Sequence, residues 1–207
     1  MVRMQDSKTI LAFDLGNVIF HFDYNLALDK IKTRLGVSTE TIIKEFYDND
    51  FCIPFEKGLV SGHSFYSKFK EKFSADLSYD DFVDIWCEIF WPNPEVFDLI
   101  EKLSRNLPVY LISNINQLHF DYLFKKYQFF FSFFKDLILS YKVKYVKPEF
   151  GIYQELKKRS GADFRNIVYI DDRQDLVKAA GGFGLECIRF IGFEQLIRDL
   201  KRFGISI

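Results

Sequence analysis

Four short polar punctuations interrupt the apolar runs of this chain. Asp14 follows Ile10-Leu11-Ala12-Phe13, Ser113-Asn114 follow Val109-Tyr110-Leu111-Ile112, and Asp171-Asp172 follow Ile167-Val168-Tyr169-Ile170. The fourth, Lys147-Pro148, stands just before the stretch Phe150 to Ser160. Taken singly, each has an ordinary structural explanation: acids and serines cap turns and helices, and a lysine beside Lys142 and Lys144 suits a solvated face. Brought to one place they would supply three carboxylates, one ammonium, one hydroxyl and several loop N–H groups. Carboxylates held that close shift each other's pKa unless a cation sits among them. Oxygen-only donors suit Mg²⁺, which binds through a few carboxylates and a substrate phosphate. Lys147 and Ser113 would then offer positive charge and a hydrogen-bond donor to an anion on the same metal.

The elements that must position these groups can be read from periodicity. Apolar residues on consecutive positions, as in Thr9 to Phe13, predict strands buried on both faces. Further strands are expected at Val109–Ile112, Leu137–Leu139, Asn166–Ile170 and Glu186–Phe190. Helices are expected at Glu95–Leu103, Gln117–Lys126, Phe150–Ser160 and Asp175–Gly181. This alternation predicts an α/β fold, a doubly wound parallel sheet, whose ligands sit beyond the carboxyl ends of the strands.

Between the first strand and Trp91 the pattern is helical, with no strand signal after Phe20. Asn25–Leu35 stops at Gly36, and Ser38 caps a helix containing Ile42, Ile43 and Phe46. Phe65, Phe69 and Phe73 share one helix face, and Ser78 with Asp81 opens a helix over Phe82–Phe90. Asn93 and Pro94 begin the next helix. The expected organisation is a core of residues 1–18 and 93–207, with an all-helical cap at 19–92 lying over the strand ends. The Gln128–Phe134 run reads as buried aromatic packing.

Composition narrows the function classes. The chain has 207 residues, 48% of them hydrophobic, and a net charge of −1. That suffices for a sizeable core and gives no global attraction to nucleic acid or an anionic membrane. Cys52, Cys87 and Cys187 lack metal-site spacing, which favours a reducing compartment and no structural zinc. With no signal peptide or membrane-length apolar run, a cytoplasmic location is expected, with no obligate protein partner evident.

In order and spacing, the motifs and the inserted helical block resemble the haloacid dehalogenase (HAD) superfamily, specifically its phosphatases with helical caps. Phe13-Asp14-Leu15-Gly16-Asn17-Val18, Ser113-Asn114 with Asn116, and Val146-Lys147-Pro148-Glu149 to Ile152-Tyr153 look closest to bacterial α-D-glucose-1-phosphate phosphatase-like proteins. The resemblance implies Mg²⁺-dependent hydrolysis of a small phosphorylated metabolite through an aspartyl-phosphate. It makes Asp14 the nucleophile and a metal ligand. Asp172 and the Gly16 backbone carbonyl become metal ligands, with Asp171 beside them. Ser113, the N–H of Asn114 and Lys147 would hold the phosphate, and Asn116 the substrate.

Two departures from the family pattern matter. Gly16 stands where relatives carry a second aspartate, the acid that protonates the leaving oxygen. Its loss leads to an expected preference for activated esters such as sugar 1-phosphates. Asn17 replaces a glycine but tolerates a left-handed turn. Leu176 stands where relatives often carry an amide or acid, with Asp175 as the candidate substitute. His119 reads as structural, Asp23 as a helix cap or a hinge group, and Glu56 and His63 as cap residues without an assigned role.

Competing functions are a metal-free C–halogen hydrolase using Asp14, and a catalytically weakened binding or regulatory protein, which Gly16 would allow. The acid pair Asp171-Asp172 argues against the first. A receiver domain ranks last, since its acid pair comes early and it lacks the inserted block.

Overall fold

The computed structural model describes residues 9–44 and 52–207. Five parallel strands form the central sheet: β1 (Ile10–Phe13), β4 (Val109–Ser113), β5 (Asp136–Leu139), β6 (Ile167–Asp171) and β7 (Glu186–Arg189). Their order across the sheet is β5-β4-β1-β6-β7, which puts β1 in the middle. The continuous apolar runs follow from burial on both sides. Leu11, Phe13, Val109, Leu111, Val168 and Ile170 face one core. Their alternates Ile10, Ala12, Tyr110, Ile112, Ile167 and Tyr169 face another.

Helices α6 (Pro94–Ser104), α7 (Gln117–Phe131) and α11 (Phe193–Arg202) cover the first core through Leu99, Leu123 and Leu200. Helices α9 (Phe150–Ser160) and α10 (Gln174–Gly182), which follow the one-turn α8 (Ser140–Val143), cover the second through Tyr153 and Ala180. The aromatic run after Gln128 packs as expected at Phe130, Phe131 and Phe134, whereas Phe129 is 77% exposed. Helix α7 continues into that run as far as Phe131, across an irregular Tyr127 (φ −127°).

The inserted block gathers round its own apolar cluster. Helices α1 (Asn25–Leu35), α2 (Thr39–Ile42), α3 (Cys52–Glu56), α4 (Gly62–Phe73) and α5 (Tyr79–Cys87) contribute Leu28, Ile31, Ile42, Phe55, Phe65, Phe69, Phe82 and Trp86. The stops and caps read from sequence are present: Gly36 is left-handed (φ 66°), and the Ser38 and Ser78 hydroxyls accept from the N–H groups of Thr41 and Asp81. Phe46 lies outside the described residues. Helix α5 ends at Cys87, short of the expected Phe90, because the chain there enters a strand.

That strand corrects the expectation of a block without β-structure. Phe20–Phe22 (β2) and Phe90–Pro92 (β3) pair antiparallel, tying the two chain crossings together. Each is three residues long, too short for a period to appear, and the partners are distant in the chain. The block meets the core just beyond the strand ends. The Ser140 hydroxyl, following β5, donates to the Glu56 carbonyl (2.7 Å), and Lys144 Nζ donates to the Gly58 carbonyl (2.7 Å). Leu118 of α7 belongs to the inserted block's own apolar cluster.

Candidate active site

Strand register brings the punctuations together. Phe13 pairs with Leu111 on one side and Ile170 on the other, so the next residue, Asp14, emerges level with Asp171. The Asp14 N–H donates to the Ile170 carbonyl (2.8 Å). The chain then turns back sharply: Asn17 is left-handed (φ 54°), and its N–H donates to the Phe20 carbonyl (2.7 Å). Asparagine tolerates this conformation better than most residues with a side chain.

Lys147 is the centre of the charge arrangement. Its ammonium lies 2.7 Å from Asp14 Oδ1 and 2.6 Å from Asp171 Oδ2, and its side chain is almost wholly enclosed. Burial opposes its charge, but Asp14 and Asp171 more than offset this, so its pKa stands above the ordinary lysine value. Burial also raises the Asp14 carboxyl above the ordinary range, against the pull of Lys147. Asn114 positions the lysine from below. Its amide accepts from the Lys147 N–H (2.6 Å) and donates to the Lys147 carbonyl (3.0 Å), a two-bond clamp between the ends of β4 and the loop before α9.

Asp14, Asp171 and Asp172 each offer an oxygen, all within 4.8 Å of one another. Three carboxylates against one ammonium leave negative charge uncompensated, and this donor set fits a hard divalent cation such as Mg²⁺. The two neighbouring acids are not equivalent. Asp171 is fully buried, accepts from Lys147 and the Tyr169 hydroxyl at Oδ2, and from the Arg173 N–H (2.9 Å) at Oδ1. Asp172 is half-buried; among the described residues its carboxylate accepts from Asn17 Nδ2 (3.3 Å), and its main-chain carbonyl accepts from Arg189 Nε (3.3 Å). Asp172 therefore keeps more lone pairs for a cation. Burial, then Asp171, raises its pKa.

Beside this cluster lies a cavity of about 50 Å³ lined by Gly16, Phe22, Tyr24, Glu56, Ser113 and Asn116, among others. Ser113 is buried at its edge. Asn116 lines it too, but much of its amide is engaged with His119, which it caps through Oδ1 (3.0 Å) and meets at Nδ1 (3.0 Å). One amide N–H remains for a ligand. His119 Nε2 lies 3.1 Å from the Trp86 carbonyl, which can only accept. The ring is thus protonated at Nε2 and takes the Asn116 N–H at Nδ1, locking α7 to the end of α5.

Burial holds His119 neutral, down to about 4. An unfolded histidine binds its proton near pH 6.5. As pH falls from 6.5 to 4, the unfolded chain therefore gains a proton that the folded chain refuses, and stability drops by about 3 kcal/mol. Urea unfolding of wild type and His119→Gln across this window should show a smaller loss in the variant; equal losses would contradict this origin.

The remaining sequence candidates are elsewhere. Asp23, one residue before the N-cap Tyr24, accepts from the Asn25 N–H (2.9 Å) at the start of α1. His63 stacks on Tyr79 (3.9 Å). Asp175 does not stand in for the missing polar group at Leu176, because it faces outward to Arg173 (2.5 Å) while Leu176 is core. Of the two cap residues that the sequence left without a role, Glu56 lines the cavity, brought there by tertiary contacts such as that of α3 with Ser140.

A family model for haloacid dehalogenase-like hydrolases matches residues 9–184. A HAD family enzyme from Bacteroides thetaiotaomicron, crystallised in complex with magnesium and inorganic phosphate, is 26% identical. The alignment covers 88% of this chain and 93% of that one, with a TM-score of 0.79. A predicted HAD-like family hydrolase from Porphyromonas gingivalis is 22% identical over 97% of this chain and 100% of that one, TM-score 0.83. The L-2-haloacid dehalogenase of Xanthobacter autotrophicus, with chloropropionic acid covalently bound, shares the fold at 14% identity and a TM-score of 0.62, over 97% and 85% of the two chains. Among the described residues no helix is long and apolar enough to cross a membrane. With the matching motifs gathered on one sheet edge, this chain belongs to the haloacid dehalogenase-like hydrolases.

Proposed function

We propose that the protein is a Mg²⁺-dependent phosphomonoesterase acting on a small phosphorylated metabolite, a sugar phosphate such as glucose 1-phosphate, with residues 19–92 serving as its cap. The observation that carries this reading is the group of Asp14, Asp171 and Asp172 gathered round the Lys147 ammonium. The magnesium and phosphate held by the Bacteroides enzyme support it. The acid pair also favours it over halide displacement, which needs no metal.

In this reading an oxygen of Asp14 attacks phosphorus as the ester P–O bond breaks, giving an aspartyl-phosphate that water then hydrolyses. Lys147 has used two of its three N–H donors on carboxylates, leaving one for a phosphate oxygen. The Ser113 hydroxyl and the Asn114 backbone N–H are assigned the others. Asp14, Asp172 and the Gly16 carbonyl would hold Mg²⁺, with Asp171 supporting them. When bound, Mg²⁺ neutralises charge on the transferring phosphoryl group.

Sugar phosphates should release phosphate, and 2-chloropropionate should release no halide; the reverse pattern would overturn the assignment. Asp172→Asn should raise the Mg²⁺ concentration needed for half-maximal activity by an order of magnitude or so, since an amide oxygen is a weaker ligand for a hard cation. An unshifted Mg²⁺ titration would remove Asp172 from the ligand set.

A further inference from the structure

Gly16 leaves the reaction without the side chain that usually protonates the leaving oxygen, and the structure does not hold that space open. A Cβ on Gly16 would stand 2.8 Å from the Phe22 ring. An aspartate introduced there would first have to displace Phe22, so Gly16→Asp is not a simple restoration of the missing acid.

Three titratable residues line the same cavity, Tyr24, Glu56 and His119. His119 is neutral and engaged at both ring nitrogens. Burial, then Glu56 and Cys52, raises the Tyr24 phenol far above its ordinary value, so it surrenders no proton in the working range. Glu56 remains. It comes from the inserted block, and its main chain is fixed to the core through the Ser140 hydroxyl. That hydroxyl also accepts from the Ile115 N–H (2.9 Å) in the loop after Ser113, so one residue ties α3 to the phosphate-facing loop.

Resting on the phosphomonoesterase reading, we infer that Glu56 is the general acid and base of the reaction, delivered from the inserted block in place of a side chain at Gly16. As the Asp14–phosphorus bond forms and the ester P–O bond breaks, the Glu56 carboxyl gives its proton to the departing oxygen, which leaves as the alcohol. The resulting carboxylate then takes a proton from the water that attacks phosphorus, the Asp14–phosphorus bond breaks, and inorganic phosphate departs. Burial favours the protonated carboxyl that this role requires, with Arg173 and Lys147 acting in the other direction. A phosphate dianion arriving beside it would favour the proton further. With this donor, the preference for activated esters expected from Gly16 gives way to activity on unactivated ones as well.

The test is the leaving-group dependence of Glu56→Gln, an isosteric change that keeps the main-chain contact to Ser140. With glucose 6-phosphate, whose alkoxide leaves poorly, kcat/KM should fall about 10²-fold. With p-nitrophenyl phosphate, whose phenolate needs little proton help, the loss should be at least about tenfold smaller. Glu56→Asp, which keeps the proton on a shorter arm, should recover part of the glucose 6-phosphate activity. Equal losses on both esters, or no loss on either, would overturn the inference. Failure of the underlying reading has a different signature, wild-type protein that releases no phosphate from either ester or from glucose 1-phosphate.

Discussion

Asp14→Asn should lose turnover by a factor on the order of 10⁴ or more while folding as the wild type does, because an amide oxygen is a poor nucleophile. The fold should survive because Asp14 emerges past the end of β1, and its N–H bond to the Ile170 carbonyl belongs to the backbone. The ion pair to Lys147 is lost, but Asp171 still holds the ammonium at 2.6 Å. The checks are phosphate release under saturating substrate and a thermal melt. A folded Asp14→Asn protein with undiminished release would end the nucleophile assignment.

Lys147→Ala should be the most damaging single substitution near the site, because it acts on stability and on chemistry together. Its ammonium is the shared partner of Asp14 and Asp171, both buried. Removing one partner of a buried pair leaves uncompensated charge and typically costs about 3–5 kcal/mol. Without the pull of Lys147 the Asp14 carboxyl would bind its proton more readily, and Asp14 would then be a weaker nucleophile even in molecules that remain folded. Urea unfolding measures the first effect, and adding Mg²⁺ should return part of the lost stability by supplying a substitute charge. A variant as stable as wild type would mean that the lysine is not the charge centre it appears from its distances.

The sheet and its rim were legible in the sequence for a definite physical reason. Strands buried on both faces must be apolar at successive positions, so Asp14, Ser113 and Asp171 stand out where those runs stop. Parallel topology then requires these ends to lie on one edge. What sequence could not supply were the contacts made by distant partners. The Asn114 amide is turned to the Lys147 main chain, and Asn116 to His119, choices set by loop packing and not by residue type. The β2–β3 ribbon joins segments too short to carry a period. Glu56 had no local signal at all, since α3 is brought to the cavity by Ser140 from beyond β5. Helix α11 is a different case: Phe193, Leu196, Ile197 and Leu200 have helical spacing that an alternation ending at Phe190 left unused.

The most direct measurement is phosphate release by the wild-type protein from glucose 1-phosphate and other sugar phosphates, titrated with Mg²⁺ against a chelated control. The gathered carboxylates of Asp14, Asp171 and Asp172 predict release that rises with Mg²⁺, saturates, and vanishes on chelation. Release that is indifferent to Mg²⁺, or its absence across the panel at every Mg²⁺ concentration, would contradict a metal-assisted phosphomonoesterase.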